Sequence, residues 1–83
     1  MSTQTIETLN QRVIELISSN HGIPKKQILL DSQFVADFGF DSLDLVEFVM
    51  LVEDEFDILV PDDESEKIYT VRDAVQTIQE LIL

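Results

Sequence analysis

Eighty-three residues, 45% of them apolar, with 17 acidic side chains, five basic ones and no cysteine, describe one small acidic domain spanning 1–83. A net charge of −12 excludes nucleic acid and anionic membrane surfaces as partners, because phosphate contacts need clustered Lys and Arg. The absence of cysteine excludes disulfides, thiolate metal sites and a cysteine nucleophile. With no membrane-length apolar run and no signal-peptide pattern at the N-terminus, a soluble, cytoplasmic monomer is expected.

The first predicted helix runs from Thr3 to about Ser19, where Ile6, Leu9, Val13, Leu16 and Ile17 recur at helical spacing. Asn20-His21-Gly22 closes it, with Pro24 just beyond. His21 is the only histidine, and it reads as a C-terminal capping residue and not as a base. Residues 22–40 have no sustained period, yet carry Ile28, Leu29, Leu30, Phe34, Val35 and Phe38. A solvated loop of that length is unusual in a small domain, so this segment should pack on the bundle and contain a turn of helix or two.

The second helix is predicted over Ser42–Phe56, with Asp41 as its N-cap and Asp44 completing a capping box. Ile58-Leu59-Val60-Pro61 breaks the pattern, and a short helix is expected within Asp62–Ile68. Thr70 caps the last helix, with Asp73 at the box position and Val71, Ala74, Val75, Ile78, Leu81 and Ile82 as its inner stripe. The fold class is therefore all-α: a small four-helix bundle of three main helices and one short one.

The acidity is concentrated. Thirteen Asp and Glu and no Lys or Arg lie between Asp31 and Glu66. A face built for stability would intersperse i,i+4 ion pairs, so basic protein partners are the natural complement. On a helical wheel of 3.6 residues per turn, Leu45, Phe48, Val49, Val52 and Phe56 share the arc that enters the core. Leu43, Val46 and Met50 fall nearly opposite, framed by Glu47, Glu53, Asp54 and Asp57. The wheel serves two readings equally. This second stripe either packs under the long loop or forms the apolar centre of a docking face.

Phe38-Gly39-Phe40-Asp41-Ser42-Leu43-Asp44, then Val46-Glu47 and Glu53-Asp54-Glu55-Phe56, resemble the acyl carrier protein family. Ile58-Leu59-Val60-Pro61-Asp62-Asp63, Lys67-Ile68 and Thr70-Val71-Arg72-Asp73-Ala74-Val75 continue the resemblance in order, so that it covers about residues 6–82. The resemblance implies a carrier and not an enzyme. Ser42 would receive 4′-phosphopantetheine from coenzyme A through a separate phosphopantetheinyl transferase, the holo-carrier synthase. The arm's thiol would then carry acyl chains as thioesters between enzymes of fatty acid biosynthesis. The family's partners commonly dock basic surfaces on the second helix. That maps here to Asp41, Asp44, Glu47, Glu53 and Asp54 around Leu43, Val46 and Met50. A phosphodiester on Ser42 would meet the free N–H groups and positive dipole end of a helix. Asp41 and Asp44 oppose that charge and fit recognition by the transferase better. Phe40 is bulkier than the residue usual before Asp-Ser, and Arg72 stands where a small residue is common.

Other readings fit less of the chain. A serine hydrolase needs a base and an oxyanion hole, and the only histidine, His21, lies at the end of the first helix and reads as its cap. An EF-hand loop needs alternating oxygen ligands and a central glycine, which Asp54–Glu66 lacks; no specific metal site is expected, only weak divalent binding. An unmodified acidic interaction module matches the charge but leaves Asp-Ser-Leu unexplained. A polyketide or D-alanyl carrier is the nearest alternative within the family.

Overall fold

The computed structural model describes residues 6–82. Four α-helices follow one another: α1 Ile6–His21, α2 Ser42–Phe56, the single-turn α3 Asp62–Ser65, and α4 Val71–Ile82. A 3₁₀ turn at Lys25–Gln27 supplies the helical turn expected in the long loop. The start expected at Thr3 lies outside the described residues. At its other end α1 runs two residues further than its periodicity implied, to His21. Gly22 ends it there, with φ +69° and its N–H donating to the Ser18 carbonyl at 3.0 Å. A left-handed residue at this place is a glycine C-cap.

Leu9, Val13 and Ile17 recur every four residues on α1 and are buried. They pack mainly against α4, whose Val71, Ala74, Val75 and Ile78 are also buried. Thr77 is buried there too, which its polar type did not announce. On α2 only Phe48 and Val52 are fully buried, while Leu45, Val49 and Phe56 are half-buried against the same core. Fully burying side chains of this size stabilises each by ~1.5–3 kcal/mol.

The segments between helices supply the rest of the core: Ile28, Phe34, Phe40, Val60 and Ile68. The aromatic ring of Phe34 lies 4.9 Å from that of Phe48, 5.4 Å from Phe40 and 5.8 Å from Phe38. Such spacings suit offset and edge contacts between rings. The loop is also stitched to the start of α4. Gln33 and Thr70 form an antiparallel bridge, flanked by Phe34 N–H donating to Tyr69 O and Val71 N–H to Ser32 O. Arg72 N–H donates to Leu30 O at 2.8 Å. Two α4 N-terminal donors that helix geometry leaves unpaired are thereby satisfied by the loop.

Three acids of the 31–66 segment find cations outside it, two of them far away in sequence and one, Lys67, only three residues on. Glu55 pairs with Arg12 of α1 at 3.1 Å, and the Arg12 guanidinium also lies 4.2 Å from the Phe56 ring centre. Asp31 accepts from Arg72 Nη2 and Nε at 3.0 and 3.1 Å, and Glu64 meets Lys67 at 4.0 Å. The reading that this face lacks stabilising pairs is corrected to that extent. Each such exposed pair contributes ~0–1 kcal/mol.

Candidate functional site: the N-terminus of α2

Residues 33–40 aim the chain into α2. Asp37 accepts the Gln33 N–H on its carboxylate at 2.6 Å, and Asp37 and Phe38 N–H donate back to Gln33 O. Gly39 has φ +73°, a conformation that costs an L-residue ~1 kcal/mol or more. Phe40 N–H then donates to Phe34 O at 3.0 Å, and its ring turns inward to 5% exposure. Phe40 is thus a core anchor, a role its bulk alone did not assign. It fixes the backbone two residues before the helix starts, next to the Asp41 cap.

His21 is the residue whose role differs most from expectation. Its ring packs on Phe40 at 4.5 Å between centres, and its Nε2 is buried without a hydrogen-bond partner. The cap of α1 is the Gly22 backbone instead. Aromatic packing has displaced capping because Phe40 fills the space beside the helix end.

Asp41 has extended backbone, φ −100° and ψ −174°, and closes the expected box. Its Oδ1 accepts Asp44 N–H at 2.9 Å, and Asp44 Oδ2 accepts Asp41 N–H at 3.0 Å. Both carboxylates are therefore partly committed to the helix start, in addition to any part in recognition. Ser42 is the first residue of α2 and is exposed. Its hydroxyl has no partner among the described residues, and the box leaves the Ser42 and Leu43 N–H groups free. Ser32, the other serine preceded by aspartate, is buried, and its Oγ accepts Leu29 N–H at 3.0 Å. Only Ser42 of the two can meet another molecule.

The stripe opposite the core is open. Leu43 is 71% exposed, Val46 55% and Met50 61%. The alternative, burial under the loop, is thereby rejected. Glu47 and Asp54 are exposed beside it. Glu53 is half-buried, and its Oε2 accepts Val60 N–H at 2.8 Å, so it holds the turn after α2 as well as facing the stripe.

A cleft of about 360 Å³ opens beside Ser42 between α2 and α3. Leu45, Val46, Val49 and Met50 line it from α2, and Val60 and Ile68 from the other side. Sequence reasoning assigned no residues to such a pocket. Val60 and Ile68 reach it only because the chain folds back after Pro61. Beneath it the core is almost closed, with about 10 Å³ left between Phe48, Val52, Ile78 and their neighbours.

No group of three or more His, Asp or Glu among the described residues is placed to hold a metal. No helix among them is long and apolar enough to cross a membrane.

A family model described as the phosphopantetheine attachment site matches residues 11–78. An acyl carrier protein from Cyanidium caldarium is 47% identical over 74 residues, which cover 89% of this chain and 86% of the relative. The chain belongs to the acyl carrier protein family. The family is one of carriers, not catalysts, and its prosthetic group is 4′-phosphopantetheine. The residues present fit that group: an exposed, unpartnered serine hydroxyl, two free N–H groups at a helix N-terminus, and an apolar cleft alongside.

Proposed function

We propose that Ser42 is the attachment residue and that the chain carries acyl groups for fatty acid biosynthesis. The observation that carries this reading is the exposed Ser42 hydroxyl at the first turn of α2, in a chain of the attachment-site family. In the loading reaction Ser42 Oγ bonds to the phosphorus that bears the pantetheine of coenzyme A. The pyrophosphate bond breaks, the adenosine bisphosphate leaves, and the serine proton passes to a base on the transferase. The bound group supplies a terminal thiol that holds acyl groups as thioesters.

The protein's own residues position and present. The Asp41–Asp44 box fixes the first turn and so the direction of the Ser42 hydroxyl. The free N–H groups of Ser42 and Leu43 favour an anionic phosphodiester there. Leu43, Val46 and Met50, with Glu47, Glu53 and Asp54, meet basic faces of the transferase and of the enzymes that exchange cargo. The cleft lined by Leu45, Val49, Val60 and Ile68 offers an acyl chain shelter from water, where each buried methylene contributes ~0.8 kcal/mol.

Incubation with coenzyme A and a phosphopantetheinyl transferase should add one arm per chain by intact mass, mapped by digestion to Ser42. Ser42→Ala should add none while keeping its helix content, since Asp41 remains the cap. Full modification of the Ala variant, or an arm mapped to Ser32, overturns the assignment. Intact mass of the protein from its own host then reports the cargo.

A further inference from the structure

Two spaces lie back to back behind Ser42. The outer one is the cleft of about 360 Å³ that Ser42 borders. The inner one is the remnant of about 10 Å³ among Val52, Ala74, Thr77 and Ile78. Phe48, Val49, Val60 and Ile68 line both, so these four side chains are the partition between them. An acyl group that enters from Ser42 meets this partition before it can reach the inner space.

Phe48 is the member of the partition that cannot give way. It is fully buried, and its ring centre lies 4.9 Å from that of Phe34, which is fully buried too. Phe34 in turn meets Phe38 and Phe40, and Phe40 is the anchor beside the Asp41 cap. Pushing Phe48 aside therefore means moving further rings, and a close-packed interior has no spare volume to take them. Val60 and Ile68 differ. They flank the single-turn α3, which buries none of its own residues. That wall can yield, but yielding widens the outer cleft and leaves the Phe48 ring, held on α2, across the way inward.

We propose that Phe48 sets the length of acyl group this carrier shelters, and that the sheltered cargo is short, about eight carbons or fewer. The inference rests on the reading of Ser42 as the attachment residue and deepens it by naming the class of cargo. The size follows from the volume. A methylene is about as large as a water molecule, ~30 Å³, so the cleft holds about twelve such groups. The thioester and the end of the arm take roughly four of these places. Glu53, Asp62 and Glu66 stand at the same cleft. A tail that overruns it lies against charged side chains and water, where added length brings no further burial.

The test loads the full chain by the transferase from hexanoyl-, octanoyl-, dodecanoyl- and hexadecanoyl-coenzyme A, with loading at Ser42 checked by mass. Each form's melting temperature is read against the form that bears the arm without an acyl group. A sheltered methylene should add up to ~3–6 °C. The temperature should therefore rise from hexanoyl to octanoyl and level off beyond it. Methyl shifts in ¹³C-labelled protein should reach Val60 and Ile68 and leave Val52, Ala74 and Ile78 unmoved. Phe48→Leu should carry the plateau to dodecanoyl or beyond. It is read against the variant's own unacylated form, so that any loss of fold stability cancels, and the wild-type series decides alone if the variant does not fold. Three results would each overturn the proposal: stability that keeps rising through hexadecanoyl in the wild type, dodecanoyl shifts at Val52, Ala74 and Ile78 in the wild type, or an unmoved plateau in Phe48→Leu. A chain that takes no arm by mass overturns the Ser42 reading itself, and so is distinguishable from failure at Phe48.

Discussion

Asp41→Ala tests how the fold presents Ser42. The substitution deletes the 2.9 Å bond from Asp44 N–H and leaves that donor at an open helix end. The reciprocal bond from the residue-41 N–H to Asp44, 3.0 Å long, uses only backbone at position 41 and can persist. Loss of an N-cap acceptor costs ~1 kcal/mol, within a range of ~0.5–2. In a domain of this size each 1 kcal/mol lowers the melting temperature by ~4–8 °C. Removing one acid from a segment that has thirteen and no base works in the other direction, by relieving repulsion. Asp41→Asn separates the two effects, because Asn caps about as well as Asp and loses only the charge. The Ala variant should therefore melt below the Asn variant by ~4–8 °C, followed by circular dichroism at fixed salt. Transferase rates on the two variants carry the functional half. A frayed first turn should slow arm addition in Ala more than in Asn, whereas pure charge recognition of Asp41 would slow both alike. Equal melting temperatures for Ala and Asn would refute the claim that the box holds the first turn of α2.

Two further outcomes follow from the charge. Glu47→Lys should slow arm addition chiefly through the association rate, and the wild-type rate should fall with added salt as the attraction is screened over ~8–10 Å; stopped-flow binding that shows only a faster dissociation would contradict this. The melting temperature near pH 7 should rise with NaCl, and rise further with MgCl₂ at equal ionic strength, because a divalent ion is drawn more strongly to the crowded acidic segment without needing a specific site. A melting temperature indifferent to both salts would mean that the pairs with Arg12, Arg72 and Lys67 already offset the crowding.

Most of the candidate site's geometry was legible before folding because it is local. Asp41, Ser42 and Asp44 lie within one helical turn, so spacing alone dictated the cap and placed Ser42 at its head. The two-sided character of α2 followed from its period in the same way, and Thr70 with Asp73 repeated the cap at α4. Tertiary structure decided what depends on distant partners. The wheel could not tell whether Leu43, Val46 and Met50 were covered; the loop turns instead toward α4, through the bridge at Gln33 and Thr70. Arg12 and Arg72 compensate acids about forty residues away in the chain, at Glu55 and Asp31. Phe40 became the anchor of the site, and His21 its packing partner in place of a cap. The cleft beside Ser42 arises where non-contiguous segments meet α2. Helical period and capping are short-range properties that the order of residues fixes directly. Burial, ion pairing across elements and concavity depend on which segments meet, and those were set when the loops closed over the core.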